Sequence, residues 1–167
     1  MSLALPSVPD PLRIAVAGAS GRMGRMLIEA VMGNDDLVLA GALDVPGSPS
    51  IGQDAGGFLG SPSGVLVAAD LARGLANAQV LIDFTRPEGT LAHLQMCRDR
   101  GIKAVIGTTG FSPAQKAQIA AHAQERLVDV GRILDDVAGD EVTELLIAAR
   151  VAVGTQNEPE LRTQLEA

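Results

Sequence analysis

Three glycines and one aspartate carry the first chemical signal in the chain. They fall as G-x-x-G-x-x-G in the run Gly18-Ala19-Ser20-Gly21-Arg22-Met23-Gly24, and Asp44 lies 20 residues beyond Gly24. Glycines so spaced let a backbone turn sharply at the first and approach a pyrophosphate closely at the second. The third lets a helix sit tight on a sheet. N–H groups at the start of that helix then face the phosphates, and the helix dipole favours their negative charge. A carboxylate about 20 residues further on is placed to accept ribose hydroxyls. The same glycines would also serve a tight strand-to-helix connection with no ligand, and Asp44 would also serve as an ordinary loop residue. The flanking elements decide between these readings.

Those elements alternate. Residues 12–17 are apolar and stop at Gly18, as a buried strand does; residues 22–32 form an amphipathic helix that Gly33-Asn34 ends. Residues 37–43 read as a second strand ending at Asp44. Residues 45–64 are rich in Gly, Pro and Ser with no apolar period. A loop that long in a compact domain is usually functional or mobile. Residues 65–68 read as a short strand, and Asp70 caps a helical piece over 71–76. A buried strand over 80–84 breaks at Thr85-Arg86-Pro87. A helix over 88–100 follows, with Leu91, Leu94, Met96 and Cys97 as a rough apolar stripe and Gly101 as its stop. A strand over 104–106 is closed by Gly107-Thr108-Thr109-Gly110-Phe111, and Ser112-Pro113 starts a helix to about Arg126. This alternation predicts an α/β fold with a doubly wound parallel sheet. In such sheets ligands bind beyond the carboxyl ends of the strands. The glycine run, Asp44, residues 84–87 and residues 107–111 all fall there.

Composition narrows the classes. A chain of 167 residues fits one domain with a real core. With 47% hydrophobic but 2% aromatic content, that core must be Ala, Val, Leu and Ile, which suits helices packed on a parallel sheet. The net charge of −7 and the scarcity of aromatic platforms argue against nucleic acid as a partner. No apolar run reaches the ~18 residues needed to span a membrane. The start of the chain has no basic region or apolar core of a secretory signal, so a cytoplasmic protein is expected. A single cysteine, Cys97, excludes an intrachain disulfide or cysteine-rich metal site and reads as a buried, inert thiol. His93 and His122 have no carboxylate or metal-ligand partner at helical spacing, so each reads as a surface or packing residue. No metal site is expected.

Three segments resemble the dihydrodipicolinate reductase family of lysine (diaminopimelate) biosynthesis. They are VAGASGRMGR at 16–25, IDFTRPEGTLAHL at 82–94 and VIGTTGF at 105–111. The second and third are far more specific than a glycine pattern. The resemblance covers about residues 13–125 and implies a Rossmann-type domain that binds NADH or NADPH. It further implies pyrophosphate contacts at Gly18, Ala19, Ser20, Gly21, Arg22, Met23 and Gly24, and ribose contacts at Asp44. Nicotinamide-side contacts are implied at Phe84, Thr85, Gly107 and Thr109, with Thr108 in the same turn. Asp44 would repel a 2′-phosphate, and Val45 stands where NADPH-using members often carry Arg. NADH is therefore expected as the preferred cofactor, with Arg22 and Arg25 leaving room for NADPH. A homo-oligomer is implied by the resemblance only.

The expected organisation is a lead-in over 1–11, a dinucleotide-binding domain over 12–126 and a helical tail over 127–167. After Arg126 the family's substrate domain, with its histidine- and lysine-containing motif, finds no counterpart. No catalytic residue is therefore assigned, and the isolated chain is expected to bind cofactor without turnover. The tail either covers the sheet in place of a missing strand and helix or is foreign sequence from a frameshift or fusion. A reductase fragment and a non-catalytic dinucleotide-binding module both remain open on the sequence.

Overall fold

The computed structural model describes residues 10–124 and 130–131. Within them the chain runs β1 (Leu12–Ala17), α1 (Arg22–Met32), β2 (Leu37–Leu43), a 3-10 turn (Gly57–Leu59), α2 (Leu71–Gly74), β3 (Val80–Asp83), α3 (Pro87–Arg100), β4 (Lys103–Ile106), α4 (Pro113–Gln124) and β5 (Val130–Gly131). Five strands form one sheet in the order β2-β1-β3-β4-β5, and every pairing is parallel.

Side-chain alternation divides the core between the two faces of this sheet. Ile14, Val16, Leu39, Val80, Ile82 and Val105 pack with Leu27, Ile28 and Val31 of α1. Their chain neighbours Ala15, Ala17, Leu81, Ala104 and Ile106 pack the other way, with Leu94 and Cys97 of α3 and Ile119 of α4. Successive residues of a strand face opposite sides, so a strand apolar at every position must be covered on both. The small side chains on the second face bring its helices close. At Gly41 a Cβ would overlap the carbonyl of Gly74, so α2 lies directly on β2. This is the doubly wound, Rossmann-like architecture the alternation predicts.

Two expectations change. Residues 65–68 form no strand of their own: Leu66 bridges Asp54 antiparallel and Ala68 bridges Leu43 parallel. The segment divides its backbone bonds between two neighbours running in opposite directions, which leaves too little for a ladder with either. Residues 130–131, expected within a helical tail, pair instead with Ala104 and Val105 as a fifth strand. The exposed edge of β4 supplies the unpaired groups that recruit them. The rest of the expected tail, and the lead-in before Asp10, lie outside the described residues. Among the described residues no helix is long and apolar enough to cross a membrane.

Candidate functional site

The strand order reverses between β1 and β3, so the ends of these strands diverge into a crevice. At the end of β1 the chain turns at Gly18, whose φ of +78° suits glycine. The turn is pinned to β2 by the amides of Gly18 and Ala19, which both donate to Leu43 O, at 2.9 and 3.0 Å. A Cβ on Gly18 would lie 2.5 Å from the Phe84 carbonyl, so the missing side chain also lets the ends of β1 and β3 meet. A Cβ on Gly24 would overlap the Gly18 carbonyl, which holds α1 against the turn.

Gly21 differs from the other two. Its φ is −70°, and a Cβ there would meet only Gly18 O, at 3.2 Å. It is the N-cap of α1, yet no side chain caps that helix and no acid stands in its first turn. The first N–H groups of a helix have no intrahelical acceptor. Here they belong to Arg22, Met23 and Gly24, which line the crevice. Of the other helix starts at this edge, α2 is capped by Asp70, α4 has the Ser112 hydroxyl accepting from the Gln115 amide at 3.3 Å, and α3 has no side-chain cap but carries Glu88 in its first turn. Among the described helix starts at this edge, the α1 terminus is the one with neither a side-chain cap nor a carboxylate in its first turn, and its dipole suits an anion.

Asp44 stands at the end of β2. Its carboxylate accepts from the Ser20 amide at 3.2 Å, the Val45 amide at 2.8 Å and the Ser48 hydroxyl at 3.1 Å. It thus faces the glycine turn, and with about four lone-pair sites it retains capacity for a further donor. The loop behind it is ordered around a second carboxylate. Asp54 accepts from the amides of Gly56, Ser63 and Gly64, each at 2.8 Å, and from the Ser63 hydroxyl at 2.9 Å. These donors, the Ser63 amide foremost, hold its carboxyl below the ordinary aspartate value despite partial desolvation. The Arg25 guanidinium lies 5.4 Å from the centre of the Phe58 ring in the same loop.

Beyond β3 the Phe84 ring rests where a Gly107 Cβ would be, so the loop after β4 needs glycine there. The Thr85 amide donates to Thr108 Oγ1 at 3.0 Å, joining the two loops. Asp83, 1% exposed, accepts from Thr85 Oγ1 at 2.7 Å and lies 2.7 Å from His93 Nδ1. His93 is accordingly buried, as a packing residue should be, but it does have a carboxylate partner. Helical spacing misses that partner because it sits on β3, beneath α3. Burial, and next to it the charge of Asp83, pushes the Cys97 thiol up to about 12.

Gly18, Gly21, Arg22, Met23, Gly24, Phe84, Thr85, Gly107, Thr108 and Thr109 line one cavity of about 340 Å³. Gly18, Gly21, Phe84 and Thr85 also line a larger cleft of about 830 Å³, together with Ser20, Asp44, Arg86 and His93. Ala19 departs from the rest: it is buried in the α1 face of the core, and its contribution to the turn is its backbone. Asp83, Thr90 and His93 form a network that the sequence reading did not assign. The run Asp83-Phe84-Thr85 at a strand end was the available signal. Among the described residues no cluster of His, Cys, Asp or Glu could hold a metal ion.

Comparison with known proteins identifies the family and the fold. The family described as dihydrodipicolinate reductase, N-terminus, matches residues 12–132. The match extends past Arg126, where the resemblance was expected to stop, and takes in β5. A 4-hydroxy-tetrahydrodipicolinate reductase from Herminiimonas arsenicoxydans is 63% identical over 119 residues, which are 71% of this chain and 44% of that protein. Among solved structures, a dipicolinate-bound dihydrodipicolinate reductase from Paenisporosarcina sp. TG-14 superposes with a TM-score of 0.56 at 28% identity, covering 70% of this chain and 44% of the other. GenD2 from gentamicin A biosynthesis, solved with NAD, shares the fold at 20% identity and a TM-score of 0.61, covering 91% of this chain and 43% of its own. The chain thus spans less than half the length of the relatives it matches. It belongs to the dihydrodipicolinate reductase family and carries that family's N-terminal part.

Proposed function

We propose that the crevice at the carboxyl ends of β1 to β4 binds a nicotinamide dinucleotide, as the cofactor-binding part of a reductase of the lysine (diaminopimelate) pathway. The observation that carries the reading is Gly21. The fold tolerates a side chain there far better than at Gly18 or Gly24. Its bareness is explained by a ligand that must approach the backbone, and the uncapped start of α1 is suited to a pyrophosphate. Asp44 would accept the adenosine ribose hydroxyls, and Phe84, Thr85, Gly107, Thr108 and Thr109 would wall the nicotinamide side. When bound, the reduced nicotinamide supplies hydride to the substrate, for which the dipicolinate held by the Paenisporosarcina relative suggests a cyclic dicarboxylate.

NADH is the preferred form in this reading. Asp44 would repel a 2′-phosphate, and residues 45–64 contain no Lys or Arg to offset it. Arg25, which reaches that loop, is stacked over Phe58. The test is titration of the full chain with NADH, followed by nicotinamide fluorescence. Saturable binding that Gly21→Val abolishes is expected. Failure of the parent to bind, or equal binding by the variant, refutes the assignment.

A further inference from the structure

Asp83 poses a question that the cofactor contacts leave open. It is a carboxylate buried to 1% exposure, and it lines neither the cavity nor the larger cleft. Burying a carboxylate is costly unless donors surround it. Here donors converge on it from three segments. On its own strand end, Thr85 Oγ1 donates to Oδ1 at 2.7 Å. From α3, His93 Nδ1 meets Oδ2 at 2.7 Å. From the loop after β4, Thr108 Oγ1 lies 3.3 Å from Oδ1.

The direction of these bonds can be followed hydroxyl by hydroxyl. Thr108 Oγ1 accepts from the Thr85 amide at 3.0 Å and from the Thr90 hydroxyl at 2.9 Å, so its own proton turns toward Asp83. An ionised carboxylate only accepts, which places the His93 proton on Nδ1. The network therefore runs one way, into a single buried acceptor. Its outer members face the ligand side: Thr85 and Thr108 line the cavity, and Thr85 and His93 line the cleft.

We propose that Asp83 is a positioning residue of the dinucleotide site, locking Thr85, Thr108 and His93 together and so fixing the nicotinamide side of the cleft. This rests on the dinucleotide reading above. Asp83 touches no ligand itself; it acts through the three side chains it holds. The glycine turn and Asp44, which serve the pyrophosphate and adenosine ribose, make no bond to it. Its loss should therefore be felt by one half of the dinucleotide more than by the other.

The full chain is titrated with NADH and with ADP-ribose, which keeps the pyrophosphate and adenosine ribose but has no nicotinamide. For Asp83→Asn and His93→Leu, NADH affinity falls about tenfold or more, the scale seen when groups that orient metal ligands are removed. ADP-ribose affinity stays within about twofold, the spread of neutral substitutions. His93→Asn, whose amide nitrogen reaches the place of Nδ1, keeps both affinities within about twofold. Circular dichroism reads the folding of each variant, and Thr108→Val, of the same shape without the hydroxyl, stands in where Asp83→Asn does not fold. Equal losses for both ligands, or no loss for NADH in a folded variant, overturn the proposal. So does failure of all the variants to fold, which makes the network a folding element. A parent that binds neither ligand removes the dinucleotide reading itself, and the proposal with it.

Discussion

Gly21→Ala and Gly24→Ala are the same chemical change three residues apart, and the structure predicts opposite outcomes. At Gly21 the added Cβ meets only one oxygen, 3.2 Å away, which must yield by a few tenths of an ångström. Alanine is a poorer N-cap than glycine by somewhat under about 1 kcal/mol. It also removes unfolded-state freedom worth roughly 0.4–1 kcal/mol. The two nearly cancel, so the melting temperature should move by no more than about 5 °C. The methyl group would nevertheless stand where the pyrophosphate approaches. Losing two backbone N–H bonds to a charged phosphate costs about 3 kcal/mol. That is roughly a 100-fold loss of NADH affinity. At Gly24 the Cβ overlaps the backbone of Gly18, which no side-chain rotation relieves. That variant should lose about 3 kcal/mol of stability or more. Thermal denaturation read beside NADH titration separates the cases. A Gly21→Ala chain that binds NADH within about threefold of the parent would place the phosphates elsewhere. A Gly24→Ala chain as stable as the parent would refute the tight seating of α1.

Three further outcomes follow from the same geometry. Asp44→Ala should weaken NADH by about tenfold, the value of one charged hydrogen bond, while leaving NADPH unchanged or improved; equal losses in parallel titrations would remove Asp44 from the ribose role. Asp54 has its carboxyl held below the ordinary value of 3.8, so its stabilisation of loop 45–64 is present at neutral pH and is lost as pH falls through the depressed value. The amide resonances of Gly56, Ser63 and Gly64 should shift together in that acid range, and Asp54→Asn should reproduce the change at neutral pH; resonances that stay fixed in both experiments would show the loop is held otherwise. Cys97, 0% exposed and with its thiol raised to about 12, should resist a disulfide-exchange reagent at pH 8 until denaturant is added; rapid labelling of the native chain would contradict its burial.

The sequence determined what depends on near neighbours. The unbroken apolar run of residues 12–17 and the stop at Gly18 define a strand buried on both faces, because alternate side chains must each find cover. The apolar spacing of 22–32 likewise defines a helix with one buried stripe. Strand, glycine turn and helix therefore emerge from local pattern, and their alternation predicts the parallel sheet and the end of it where ligands bind. Tertiary structure alone decided what depends on elements meeting. The Asp83–His93 pair joins a strand to the helix above it, a relation no single periodicity contains. Asp54 orders its loop through Ser63, nine residues away, so a stretch that reads as featureless is tied to one carboxylate. Residues 65–68 carry strand-like composition, yet their partners run in opposite directions and no ladder forms. The glycines show the division most directly. Three look alike in sequence, but two are required where backbones touch, and at the third an added Cβ would meet only the Gly18 oxygen, at 3.2 Å. Their spacing predicts the different roles, but the folded turn and the Phe84 carbonyl brought to it from β3 decide where a side chain is excluded.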